Sequence, residues 1–193
     1  MRIILASSSP YRKALLKRLN LNFEAISPEV DESTVQKDSS LSPKEMALEL
    51  SKLKAKALAS INPNAVIIGS DQVCYFKNQI FHKSGGFEQS FNTLKALSGQ
   101  THYLCTAVTV MNAQKSITFE NTTALTMKEL SDEAIKRYLK LDSPYDCAGS
   151  YKLEEHGISL FSQIDCSDQS SIVGLPLIEL SKVLEQEFAV FSP

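Results

Sequence analysis

The sequence has no strong charge of either sign, no paired cysteines and no long apolar run, and each absence narrows what the protein does. A net charge of −2 over 193 residues gives no basis for broad nucleic-acid or membrane binding, so neither is expected as a partner and any basic groups that matter must act locally. Cys74, Cys105, Cys147 and Cys166 are far apart, with no C-x-x-C pair. That argues against a zinc knuckle or a disulfide framework and fits a reducing cytosol. The first apolar run is too short for a signal-peptide core, and nothing later approaches a membrane span, so the expected location is the cytoplasm. Walker A and G-x-G-x-x-G sequences are also missing, which argues against a P-loop nucleotidase or a simple dinucleotide binder. No internal repeat, low-complexity tract or clear linker is present. At 43 % hydrophobic and 22 % charged, the chain can bury a sizeable core as one large domain or two small lobes.

What is present is a distinctive opening turn. Ile3 to Ala6 reads as a short buried strand, followed by Ser7-Ser8-Ser9-Pro10-Tyr11-Arg12-Lys13. Ser9 is a natural N-cap, and Pro10 suits the first helical position, where its missing N–H costs nothing. A strand turning through hydroxyl residues into a helix offers backbone N–H groups and a positive dipole end to an anion, with Arg12 and Lys13 beside it. A capped helix with two solvated basic residues reads equally well from this stretch alone.

Further along, Asn22 to Ser27 alternates as a strand, and Pro28 to Ser42 reads as a long polar loop carrying Glu29, Asp31 and Glu32. Ser42-Pro43-Lys44-Glu45 is a capping box opening a helix to about Ser60, on which Lys54 borders the apolar stripe. Such a lysine either snorkels or aims into a cleft. Ala65 to Gly69 reads as a buried strand ending in Ser70-Asp71-Gln72, with Asp71 at the C-terminal end, where open α/β sheets place chemistry. A strand pair around Val73–Phe76 and Ile80–Phe81, turning through Lys77-Asn78, precedes Lys83. Phe87 to Leu97 is helical and stops at Gly99. Thr101 to Met111 and Ser116 to Met127 read as long strands joined by a turn, and Ser131 opens a helix to about Leu141. Ile158 to Ile164 is strand-like, and Gly174-Leu175-Pro176 introduces a last helix through Leu184. These elements imply an α/β fold with a mixed sheet. Arg12, Lys54 and Lys83 then supply cations for phosphate oxygens, and Glu32 and Asp71 are carboxylates of the kind that hold Mg²⁺ or Mn²⁺.

Leu5-Ala6-Ser7-Ser8-Ser9-Pro10-Tyr11-Arg12 resembles the first motif of the Maf family of nucleoside triphosphate pyrophosphatases. Val30-Asp31-Glu32, Lys54-Ala55, Gly69-Ser70-Asp71-Gln72-Val73, Lys83, Cys147-Ala148-Gly149-Ser150 and Gly174-Leu175-Pro176-Leu177 are similar to its later motifs, in the same order. The resemblance runs from near residue 2 to about residue 185, nearly the whole chain, and implies a single Maf-like domain over residues 1–193. It implies an elongated mixed β-sheet flanked by helices, two lobes with a central cleft and kinship to the inosine-triphosphate pyrophosphatases. It also implies a homodimer as the common assembly, a small-molecule nucleotide as substrate, and hydrolysis between the α- and β-phosphates with a divalent cation (Mg²⁺, Mn²⁺ or Co²⁺). By the same resemblance Asp71 is the proton acceptor and a metal ligand with Glu32, while Ser9, Arg12, Lys54 and Lys83 grip the triphosphate.

Asp71-Gln72, Cys147 to Lys152 and Glu154 are more similar to the subgroup cleaving 7-methyl-GTP than to the one cleaving dTTP and UTP. The methylated guanine ring is cationic, so Tyr11 suits stacking, worth roughly 0.5–2 kcal/mol. Glu154 suits the guanine edge, whose two donors a carboxylate accepts together, and Gln72 suits orienting the base. The implied activity is 7-methyl-GTP hydrolysis that removes modified nucleotides from the pool. The alternatives are a dTTP/UTP pyrophosphatase and a nucleotide-binding regulator of cell division with little turnover. The chain departs from the subgroup in having Tyr11 where tryptophan is usual, His82-Lys83-Ser84 where Gly-Lys-Pro is usual, and a second acid, Glu155, beside Glu154.

Overall fold

A computed structural model describes residues 1–77 and 79–190. The elements are β1 (Arg2–Ala6), α1 (Pro10–Lys17), β2 (Glu24–Ile26), α2 (Ser33–Gln36), α3 (Pro43–Ala59), β3 (Ala65–Phe76) and β4 (Gln79–Phe81). There follow α4 (Phe87–Leu97), β5 (Thr101–Met111), β6 (Ser116–Met127), α5 (Asp132–Asp142), β7 (Phe161–Asp165), α6 (Ser170–Val173) and α7 (Leu177–Phe188). The strands form a seven-stranded mixed sheet ordered β2-β1-β3-β5-β6-β7, with β4 on β3. β1 is parallel to β2 and β3, whereas β4 is antiparallel to β3 and β7 to β6. This is the α/β mixed sheet the sequence implied. Among the described residues no helix is long and apolar enough to cross a membrane.

The chain divides into two compact units. The first comprises Met1–Gln72, Thr106–Asn121 and Asp168–Pro193, and the second Val73–Cys105 and Thr122–Ser167. In the first unit both faces of β1 and β3 are covered, and side-chain alternation sorts residues between them. Ile3, Leu5, Val66 and Ile68 pack with Leu15 and Leu16 of α1 and Leu180, Val183 and Leu184 of α7. Ile4, Ala6, Ala65 and Ile67 pack with Ala55 and Leu58 of α3. In the second unit the buried His102 shares a 2.9 Å hydrogen bond with the Tyr151 hydroxyl, and Tyr151 meets Phe161 edge-on with ring centroids 4.9 Å apart.

Three local expectations need correction. The stretch read as a strand ending at Gly69 continues to Phe76, so Asp71 lies within β3 and not at its end. Ser70, Asp71 and Gln72 stay in the strand because each polar side chain finds a buried partner, as described below. The loop read over Pro28–Ser42 contains the short helix α2, and the strand read from Ile158 begins at Phe161, after a 3₁₀ turn at His156–Leu160. Of the turn read at Lys77-Asn78, Asn78 lies outside the described residues.

Candidate active site

The opening turn forms as its residue types dictate. Pro10 starts α1, and the Ser9 hydroxyl accepts from the Arg12 N–H at 3.4 Å, while the Ser9 N–H donates to the Ser7 hydroxyl at 3.1 Å. Tyr11 and Arg12 are half-buried in the first helical turn. The Arg12 Nε–H donates to the Gly174 carbonyl at 3.1 Å. Burial lowers the Arg12 pKa, and the negative charges of Asp71 and Glu32 act in the opposite direction, which sets the guanidinium within electrostatic reach of both carboxylates.

Alternation along β3 decides where its polar residues go. Ile67, Gly69 and Asp71 share one face, the face that α3 covers. A Cβ on Gly69 would lie 2.4 Å from the Ser51 carbonyl and 2.7 Å from the Ala55 nitrogen, so only glycine lets the α3 backbone come this close. That approach brings Lys54 to Asp71. Lys54 is 9 % exposed, and its ammonium lies 2.5 Å from Asp71 Oδ1 and 3.0 Å from Glu32 Oε1. α2 sets Glu32, whose other oxygen accepts from Gln36 Nε2 at 3.0 Å. Lys54 therefore does not snorkel: it is the cation between two carboxylates.

Ser70 and Gln72 point to the opposite face, toward the residues that lead into α7. The Ser70 hydroxyl donates to the Gly174 carbonyl at 3.0 Å. Gln72 Nε2 donates to the Ser171 and Ile172 carbonyls at 2.9 and 3.0 Å, and lies 2.8 Å from the Thr106 hydroxyl, whose own proton goes to Ser171. Carbonyls only accept, so the amide orientation is fixed, with Nε2 held on the loop carbonyls.

The first unit thus brings together Arg12, Glu32, Lys54 and Asp71, with Ser9 and Tyr11 on the same helix start as Arg12 and Gln72 next to Asp71. Lys83 and Glu154 belong to the second unit, where both are exposed. The loop carrying Lys83 is tied down by the residue that replaces proline: the Ser84 hydroxyl bonds the buried Ser90 hydroxyl at 2.5 Å, and the Gly85 N–H donates to the Tyr145 carbonyl at 2.9 Å. Glu154 lies in a tight turn. The Gly157 N–H donates to the Lys152 carbonyl, and a Cβ on Gly157 would lie 2.3 Å from that oxygen. Sequence reasoning missed Asp168, Ser171 and the Gly174 carbonyl as supports of the site; the Asp168-x-Ser170 spacing, which favours a side-chain bond to the backbone two residues on, was the available signal.

Two carboxylates converging on one ammonium form a hard oxygen donor set for a cation. Among the described residues no group of three or more His, Cys, Asp or Glu side chains is arranged to hold a metal ion. The protein alone therefore offers two ligands, which fits Mg²⁺ or Mn²⁺, ions that retain waters and take further oxygens from a substrate phosphate. Chemically, the arrangement sets two cationic side chains, Arg12 and Lys54, with an acidic pair, Glu32 and Asp71.

A family model described as Maf-like protein matches residues 2–187. The chain belongs to the Maf family. It is 44 % identical over 183 residues to the 7-methyl-GTP pyrophosphatase of Bdellovibrio bacteriovorus, covering 95 % of each chain. It is 43 % identical to the protein of that name from Bordetella pertussis, covering 95 % of this chain and 90 % of the relative. Among solved structures, the Staphylococcus aureus Ham1 protein aligns with a TM-score of 0.46 at 14 % identity, over 67 % of this chain and 73 % of that one.

Proposed function

We propose that the protein is a cation-dependent pyrophosphatase that converts 7-methyl-GTP to 7-methyl-GMP and pyrophosphate and so clears a modified nucleotide. The observation that carries the reaction type is the convergence of Asp71 and Glu32 on Lys54, beside Arg12. The nucleotide is proposed from the names of the curated relatives, 44 % and 43 % identical over 183 residues.

In this reading water attacks the α-phosphorus, the bond from that phosphorus to the bridging oxygen breaks, and its electron pair leaves with pyrophosphate. Asp71 holds the attacking water and accepts its proton. Ser9, Arg12, Lys54 and Lys83 bind the phosphate oxygens and stabilise charge that builds on the leaving group. A divalent cation held by Glu32 and Asp71 would neutralise phosphate charge when bound. Tyr11 stacks on the cationic base, Glu154 accepts from its edge, and the Gln72 carbonyl oxygen accepts a further base donor. A cytoplasmic location is supported by the wide spacing of the four cysteines, with no C-x-x-C pair; a homodimer is supported by the family resemblance alone.

Pyrophosphate release from a nucleotide panel with Mg²⁺, Mn²⁺ or Co²⁺ tests the proposal. The expected result is preferential release from 7-methyl-GTP, abolished by Asp71→Asn in a folded protein. Glu154→Gln should reduce 7-methyl-GTP turnover far more than UTP turnover. Preferential UTP hydrolysis by the unaltered protein would instead identify a dTTP/UTP pyrophosphatase, and tight binding without release a nucleotide-binding regulator.

A further inference from the structure

From the buried loop between β7 and α7 we infer that Asp168 is a positioning residue for both Arg12 and Gln72. Asp168 is only 6 % exposed, yet it makes no ion pair among those found between described residues. Its carboxylate instead closes a loop on itself. Oδ1 accepts from the Ser170 N–H at 2.9 Å and from the Ser170 hydroxyl at 2.5 Å, and Oδ2 accepts from the Ile178 N–H at 2.8 Å. The Ser170 hydroxyl in turn accepts from the Leu177 N–H at 2.8 Å. One buried carboxylate and one hydroxyl thus pin the first residues of the loop to the start of α7.

What the closed loop presents is a row of carbonyl oxygens. Those of Ser171 and Ile172 hold the Gln72 amide nitrogen, and that of Gly174 takes both the Arg12 Nε–H and the Ser70 hydroxyl proton. Gly174 has φ +118°, and a Cβ there would lie 3.2 Å from Arg12 Nε, so the loop backbone lies flush against the guanidinium. The phosphate-gripping arginine and the residue beside Asp71 that meets the base are therefore held by one short segment. Asp168 fixes that segment without facing either ligand. Charge-assisted bonds from a buried carboxylate to backbone N–H groups are strong, and losing them leaves the N–H groups of Ser170 and Ile178 without acceptors.

The consequence is a link between phosphate grip and nucleotide choice. With the loop closed, Gln72 offers only an acceptor, which suits the donors on a guanine edge. With the loop loosened, the Gln72 amide turns and offers a donor as readily, and discrimination falls. The kinetic half of this inference rests on the pyrophosphatase reading above, whereas the structural half stands without it.

The test uses ¹⁵N-labelled full-length protein, unaltered and as Asp168→Ala. Hydrogen exchange at the Gln72 side-chain amide and at the Arg12 Nε–H should be slow in the unaltered protein and about tenfold faster or more in the variant. In steady-state assays Asp168→Ala should raise KM for 7-methyl-GTP and lower the preference for 7-methyl-GTP over UTP by about tenfold. In a Gln72→Ala background the same substitution should leave that preference unchanged. If Asp168→Ala does not fold, Ser170→Ala, which removes one hydroxyl, should shift exchange and preference in the same direction by less. Unchanged exchange in a folded variant overturns the inference, as does an equal loss of turnover on both nucleotides in both backgrounds. If the unaltered protein releases no pyrophosphate from any nucleotide, the pyrophosphatase reading fails and the exchange rates alone decide the role of Asp168.

Discussion

Lys54 holds two carboxylates that would otherwise repel each other. Its ammonium sits 2.5 Å from Asp71 and 3.0 Å from Glu32, with the lysine and aspartate almost fully buried. Removing one partner from a buried ionic group leaves uncompensated charge and costs about 3–5 kcal/mol. Lys54→Met should therefore destabilise the protein, and added Mn²⁺ should restore thermal stability, because a cation binding only the folded state stabilises it. In calorimetry without nucleotide the variant should bind Mn²⁺ about tenfold more tightly or better, since the competing ammonium is gone. Pyrophosphate release should nonetheless fall. Weaker Mn²⁺ binding by the variant would show that the two carboxylates do not form a divalent-cation site.

At the level of elements, the site exists because α3 lies unusually close to β3. Gly69 has no side chain to hold the helix off, and a methyl group there would sit 2.4 Å from the Ser51 carbonyl. Gly69→Ala should destabilise by about 1–3 kcal/mol through overpacking. It should also reduce activity beyond the stability loss, because α3 must shift and carry Lys54 with it. Denaturant melts and kinetics on the same samples check both. The individual elements were legible in the sequence where local signals were strong. The Ser42–Glu45 capping box opens α3, and the Thr/Val-rich runs gave β5 and β6 over Thr101–Met111 and Ser116–Met127. The length of β3 was not legible, because Ser70-Asp71-Gln72 reads as a polar strand end until its partners on two other segments are known.

At the level of the whole molecule, pH stability turns on a residue far from the acidic pair in sequence. His102 is fully buried against Tyr151 and Phe161, and burial lowers its pKa to about 4. In the unfolded chain it titrates near its ordinary value of about 6.5. The folded state thus refuses a proton that the unfolded state accepts, so stability is full above that value and is lost as pH falls toward 4. The loss from this group is about 3 kcal/mol. His102→Gln retains a hydrogen-bonding side chain for Tyr151 but does not titrate. Urea unfolding between pH 6.5 and 4 should therefore show a shallower decline for the variant than for the unaltered protein, and parallel declines would remove His102 as the cause.

The sequence alone determined the α/β class, the helix start at Ser9-Pro10, and the residue types able to bind phosphate and a divalent cation, because caps, periodicity and side-chain chemistry are local properties. It also named Asp71, Glu32, Lys54 and Arg12 individually. Tertiary structure decided their relations. Alternation along a strand that runs through Asp71 sent it to the face of α3 and Lys54, and sent Ser70 and Gln72 to the carbonyls of the loop that Asp168 closes. Those pairings join residues from 17 to more than 100 positions apart in the chain. Burial and distance between such residues arise only when the sheet and its helices pack, so no window of sequence contains them.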